Sequence, residues 1–266
     1  MGRFVAFLIA SSLSFTTHAL RIEDALVGPS GLSPVRPKAT SFQEMALHHE
    51  VFSQYTGHAN ASVYNVRQSY RNTDWTRVPE ISEADLAKLF QNVRDKRILK
   101  DGKGRARRLT WLFPDNGCFA RAELMNEEAG NLGLTKPGKI FVFGNLQVRT
   151  DFHPDGLVTW WYHVAPVVRV GNDVFVLDPS MDQYKPLPVA EWVRQMDSAV
   201  DVSICSSHSY DPDSLCDYKA GSQARRAIMD ENFFMIEEWN RVLDLGRNPE
   251  YDLGDFPPWS NHQPIP

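Results

Sequence analysis

The sequence predicts an α+β domain in which a helix is followed by antiparallel strands, and three observations carry that expectation. Phe119, Ala122, Met125, Ala129 and Leu132 recur at three- and four-residue steps, the spacing of one helix face. Two runs rich in β-branched and aromatic residues follow, Ile140 to Val148 and Val158 to Val170. Gly171-Asn172 then separates the second run from a third, Val174 to Leu177, as a two-residue hairpin loop does. Strands gathered after a helix, without helical crossovers between them, give an α+β arrangement and not a parallel α/β one.

In order along the chain, residues 1–19 read as a secretory signal. Arg3 supplies a positive start, Phe4 to Phe15 an apolar run, and Thr17-His18-Ala19 a small-x-small cleavage site. The expected location is therefore secreted or periplasmic. The apolar run is short of the roughly 20 residues that span a bilayer, so no membrane role is expected. Residues 20–79 contain a Pro/Gly/Ser stretch (Val27 to Pro37), a short helix expected around Ser41 to Tyr55, and polar sequence through Asp74. This segment reads as an N-terminal arm or a pro-segment over an active site.

A catalytic domain is expected over residues 80–247. Ser82-Glu83-Ala84-Asp85 resembles a capping box, and Leu86, Leu89, Phe90 and Val93 follow at helical spacing. Lys100 to Arg108, basic and carrying Gly102 and Gly104, reads as an exposed mobile loop. Pro114-Asp115-Asn116-Gly117 is a turn feeding the helix that begins near Cys118, which Gly130 and Gly133 stop. After Asp178-Pro179-Ser180 come a helix at Val189 to Met196, a loop with Cys205 and Cys216, and a long helix from Gln223 to Leu245 ended by Gly246. The Pro-rich tail, 248–266, is expected to be extended and irregular.

Composition narrows the function classes. With 42% apolar and 23% charged residues the chain is of ordinary globular type. A net charge of −5 offers no general attraction to nucleic acid or to an anionic membrane, so neither is an expected partner. Nothing argues for an oligomer, and a monomer is favoured. Three cysteines leave at least one unpaired within a monomer. Cys205 and Cys216 are near enough in sequence to bridge, although spacing alone leaves a bond to Cys118 open.

Cys118 stands in the first turn of its helix, where unpaired N–H groups and the positive end of the helix dipole favour a thiolate or an oxyanion. The competing reading is a small buried hydrophobe. His163 lies inside the most apolar strand, where a core histidine bonded to a backbone carbonyl is the usual explanation. The hairpin changes that balance. If Gly171-Asn172 is the whole loop, Val170 faces Asp173, and stepping back in register sets His163 and Asp178 on one face as diagonal neighbours. Cys118, His163 and Asp178 then supply nucleophile, base and orienter.

No metal and no cofactor are expected. His48 and His49 are adjacent and point about 100° apart on a helix, so they do not share a metal. Glycine-rich phosphate loops are absent.

Four blocks in order carry a family resemblance: Phe113-Pro114-Asp115-Asn116-Gly117-Cys118-Phe119-Ala120-Arg121-Ala122, Phe143-Gly144-Asn145-Leu146, Trp161-Tyr162-His163-Val164-Ala165 and Val176-Leu177-Asp178-Pro179-Ser180. Over about Ser82 to Ser180 the chain resembles bacterial protein-glutaminases, also called protein-glutamine deamidases. The resemblance implies a transglutaminase/papain-like core, with a nucleophile at a helix N-terminus packed on an antiparallel sheet. It puts the catalytic roles on Cys118, His163 and Asp178. The implied activity is hydrolysis of glutamine side chains in proteins or peptides, giving glutamate and ammonia through a cysteine thioester. It further implies a signal and a pro-segment. Trp161, Tyr162 and Asn145, with Trp160 beside them, are candidates to line the glutamine slot. The chain departs from the family in having few cysteines and a different C-terminal part. A transglutaminase or a cysteine peptidase would use the same three residues, and an exported non-catalytic binding module would leave Cys118 structural.

Overall fold

The computed structural model describes residues 61–196, 200–219 and 221–260. The signal, the helix expected at Ser41 to Tyr55 and the last six residues lie outside the described residues.

In chain order the elements are β1 (Gln68–Ser69), α1 (Glu83–Asp95), β2 (Leu99–Lys100), β3 (Ala106–Arg107), α2 (Cys118–Asn131), β4 (Gly138–Arg149), β5 (Leu157–Val170), β6 (Asp173–Val176), β7 (Leu187–Pro188), α3 (Val189–Arg194), β8 (Asp201–Cys205) and α4 (Ala224–Asp244). Six strands form one antiparallel sheet in the order β1-β8-β4-β5-β6-β7. The long pair β4 and β5 is its spine. Its β-branched and aromatic side chains bury on both faces, which is why neither strand alternates cleanly with polar residues.

One face packs Ile140, Val142, Ala165 and Val167 against Trp192 and Met196. A second core joins α1, α2 and α4 to the sheet through Leu89, Phe90, Trp111, Met125, Val168 and Leu177. The α1 cap forms as the sequence predicts: Ser82 Oγ accepts from the Asp85 N–H at 3.0 Å. Gly133 at φ +69° follows the end of α2, and Gly246, also at φ +69°, follows that of α4.

The hairpin has the predicted register: Val170 pairs with Asp173 and Val167 with Val176. The ladder stops there, and Asp178 lies just beyond it. Pro179 has no N–H to continue a ladder, while the Ser180 N–H and hydroxyl both turn back to Asp178 Oδ1.

Three features differ from the sequence expectations. Lys100 to Arg108 is a hairpin of β2 and β3, because Asp101 accepts from the Lys103 and Arg105 N–H groups and from both the Arg105 and Arg107 side chains, and Arg107 is buried. The tail packs over its described part: Leu253 is buried, Tyr251–Asp255 forms a helical turn, and the Trp259 indole donates to Asp95 at 2.8 Å. Val63, Tyr64 and Val78, in the stretch read as arm or pro-segment, are buried against the sheet, and β1 pairs with β8. Their apolar side chains are too scattered to show a period.

Cys205 and Cys216 form a disulfide, and Cys118 is free. Among the described residues no helix is long and apolar enough to cross a membrane.

Candidate active site

The turn before α2 has a backbone that only glycine adopts easily. Gly117 is the N-cap at φ +81°, in the left-handed region that costs other residues about 1–2 kcal/mol. It also lacks room for a Cβ, which would meet Glu231 Oε1 and Phe234 Cδ2 at 2.9 Å and Arg121 Nη1 at 3.0 Å. This turn sets Cys118 at the first helical position, where the early N–H groups have no acceptor within the helix.

The loop leading to the turn is held by buried charge. Arg121, one turn into α2, donates through Nη1 to the carbonyl oxygens of Thr110, Phe113 and Asn116, at 3.2, 3.3 and 2.7 Å. From α4, Glu231 accepts from the Thr110 N–H at 3.0 Å and Glu238 from the Leu112 N–H at 2.8 Å. Burial pushes these two carboxyls up, to about 7 and about 8. Arg241 grips Asp115 through both its terminal nitrogens, at 2.6 and 3.0 Å. The helix α4 thus braces the loop that leads to Cys118, a role the sequence did not signal.

His163 and Asp178 meet as the register argument requires: Nε2 lies 2.7 Å from Asp178 Oδ2, and both residues are buried. Burial pushes the imidazole down, but the charge and hydrogen bond of Asp178, with a smaller share from Cys118, overcome that and raise it to about 9. Burial likewise opposes the Asp178 carboxylate, and His163, Ser180 and Trp192 outweigh it and hold the group at about 2. With Nε2 on Asp178, Nδ1 is the nitrogen left for sulfur. It has no partner of good hydrogen-bond geometry, while Cys118 is near enough to raise the imidazole. Cys118 acts on the ring in the direction that favours the imidazolium, as a neighbouring thiolate does.

Two tryptophans complete the setting. Trp160 stacks on the His163 ring with centroids 4.5 Å apart and planes 10° from parallel. The Trp192 indole donates to Asp178 Oδ2 at 2.9 Å, sharing the oxygen that faces His163. Sequence reasoning placed Trp160 beside the slot but missed Trp192, which reaches Asp178 only because α3 packs back onto the sheet. The Ser180 contact was legible, since a hydroxyl two residues after an aspartate is a common turn.

Of the slot candidates, Trp161 and Tyr162 are half-buried in the cluster that contains Cys118, Tyr64 and Phe143, with their rings 4.6 Å apart. Asn145 is exposed in the irregular stretch of β4 between Phe143 and Leu146. Among the described residues one trio of metal-binding types converges, Glu123, Glu127 and His208. Both carboxylates already hold ammonium groups, Lys139 at 2.6 Å and Lys136 at 2.9 Å.

The stretch that holds all three site residues is the one that matches a known family. Residues 86–196 match the family model described as Glutaminase. The four blocks from Phe113 to Ser180 that carry the resemblance all lie within that match. Among solved structures, a crystal structure of a mutant pro-protein-glutaminase is 24% identical with a TM-score of 0.42, covering 55% of this chain and 57% of that one. A crystal structure of protein-glutaminase is 20% identical with a TM-score of 0.43, covering 70% of this chain and 95% of that one. The NMR structure of protein-glutaminase from Chryseobacterium proteolyticum is 25% identical with a TM-score of 0.43, covering 54% and 82%. This chain thus spans little more than half the length of the pro-form. No curated protein matches.

Proposed function

We propose that the protein is a cysteine amidohydrolase that deamidates glutamine side chains in proteins and peptides. What supports this reading is the buried His163–Asp178 pair, with Cys118 at the start of α2 among the groups that raise the imidazole, inside the stretch that matches the Glutaminase model. In the proposed cycle the Cys118 sulfur attacks the glutamine side-chain carbonyl carbon, with the first N–H groups of α2 placed to hold the oxyanion. His163 gives its Nδ1 proton to the departing nitrogen, so ammonia leaves and a thioester remains. Water, deprotonated by His163, then attacks the thioester, and glutamate leaves as the thiol is restored. Asp178 holds the ring and its charge throughout.

Trp161 and Tyr162 pack against the cluster that includes Cys118 and are the candidates to hold the glutamine stem. Export is part of the proposal: the Cys205–Cys216 bridge favours an oxidising compartment, as the signal-like residues 1–19 do.

The test is incubation with a glutamine-rich protein, followed by ammonia assay and mass spectrometry. The expected result is a gain of about one dalton at glutamines, from nitrogen replaced by oxygen, and none with a folded Cys118→Ala variant. Amine incorporation would point to a transglutaminase, and backbone cleavage to a peptidase. Inactivity of the folded parent would leave a binding module.

A further inference from the structure

A cavity of about 290 Å³ lies between the β2–β3 hairpin, α4 and the C-terminal segment, and none of Cys118, His163 and Asp178 lines it. Its walls are Leu109, Leu112, Met235, Trp239, Leu253 and Trp259. An apolar cavity of about half that volume takes a benzene ring, so this one has room for a larger apolar body. Ile236, a large exposed apolar side chain, also lines it.

The cationic groups at the cavity are unequal. Arg105 and Arg107 are already held by Asp101 and Glu250, and Lys103 is exposed in the hairpin turn at the rim. Arg108 has one bond, from Nη1 to the Gly254 carbonyl, and its Nε is buried without a partner. Burial and the like charges of Arg97 and Arg94 outweigh the help of Asp95 and Asp255, which marks Arg108 as a guanidinium short of anionic company. Three carboxyls line the cavity: Asp101 is held by Arg105 and Arg107, Asp252 by Arg247, and Glu238 is pushed up to about 8 by burial, so near neutrality none of them stands as an uncompensated anion. A single fork with a free N–H matches a planar carboxylate better than a dianion.

We propose that this cavity binds a small hydrophobic carboxylate, with its apolar body against Trp239 and Trp259 and its anionic end on Arg108. Leu112 lines the cavity and hands its N–H to Glu238, so an occupant touches the segment that leads into the Cys118 turn.

The test uses the full chain and its Cys118→Ala variant, with decanoate as probe below its micellar concentration. Binding is read by calorimetry and by tryptophan fluorescence. The expected result is saturable one-to-one binding, equal in both proteins, and weaker by about tenfold or more for decanol and for Arg108→Met, the loss of one charge-assisted bond. Leu109→Trp, which fills the cavity, should abolish it. If Arg108→Met does not fold, the decanol and Leu109→Trp arms decide. No saturable binding, equal affinity for decanol, or binding unaffected by Leu109→Trp overturns the proposal. Because the readout is binding and not ammonia, these outcomes are separate from those of the deamidation assay.

Discussion

Replacing Asp178 by Asn removes a charge while leaving a side chain of similar size, and the structure allows the effect to be sized. His163 stands at about 9 against an ordinary 6.5, with Asp178 as the main influence opposing burial. That difference corresponds to about 3 kcal/mol in favour of the imidazolium. Without the carboxylate, burial acts against the charged ring unopposed by Asp178 and takes it below its ordinary value. The ring would then be neutral near pH 7, and the state that protonates the leaving nitrogen would become rare. Ammonia release, measured as kcat/KM on a glutamine-containing protein, should fall by on the order of a hundredfold or more. Alkylation gives a second readout, because Cys118 is the single free thiol among three cysteines. Its rate against pH should change shape in the variant.

Stability follows the same pair. The folded imidazole lies above its unfolded value, so its contribution is complete below pH 6.5 and fades as pH rises through about 9. The folded carboxylate lies below its unfolded value, so its contribution is complete above pH 3.8 and fades as pH falls through about 2. These describe one interaction seen from its two partners, and parent and variant should differ most between about pH 4 and 6.5. Ammonia release within about threefold of the parent, together with an unchanged alkylation profile, would refute the reasoning.

Three further expectations rest on the same framework. Gly117→Ala should lose on the order of 3 kcal/mol in urea unfolding, from the positive φ and the contacts near 2.9 Å, and activity should fall with it; a loss under about 0.5 kcal/mol would show that the turn relaxes. Lys139→Met strands the fully buried Glu123 and should cost about 3–5 kcal/mol, much of it recovered in the Lys139→Met/Glu123→Leu double variant; equal losses in single and double variants would sink the idea. Glu238→Gln should gain on the parent as pH rises from 4.5 towards 8, since a carboxyl with a raised folded value destabilises as it ionises; a thermal-melting difference that does not vary with pH would contradict this.

How much was legible can be traced residue by residue. The α2 start at Cys118, the stop near Gly133, the strand pair and the two-residue hairpin were written in local pattern, because glycine conformations and hydrophobic period act over a few residues. The register carried further still: it brought His163 and Asp178 to one place before any contact was known. Where the reading failed, side-chain contacts that leave no period in the sequence decided. Asp101 tied the basic loop into a hairpin, and the scattered Val63, Tyr64 and Val78 found places on the sheet.

The sequence by itself determined the α+β class, Cys118 at a helix start and the facing of imidazole and carboxylate, all consequences of backbone periodicity over short spans. Only the tertiary structure decided what holds them: Trp160 on the imidazole, Trp192 on the carboxylate, and Arg121, Glu231, Glu238 and Arg241 on the loop before Cys118. Glu231, Glu238 and Arg241 come from α4, 121 to 126 residues along the chain from the groups they hold. Their pairing depends on burial, which strengthens charge and hydrogen bonding only after the helices have closed over the site.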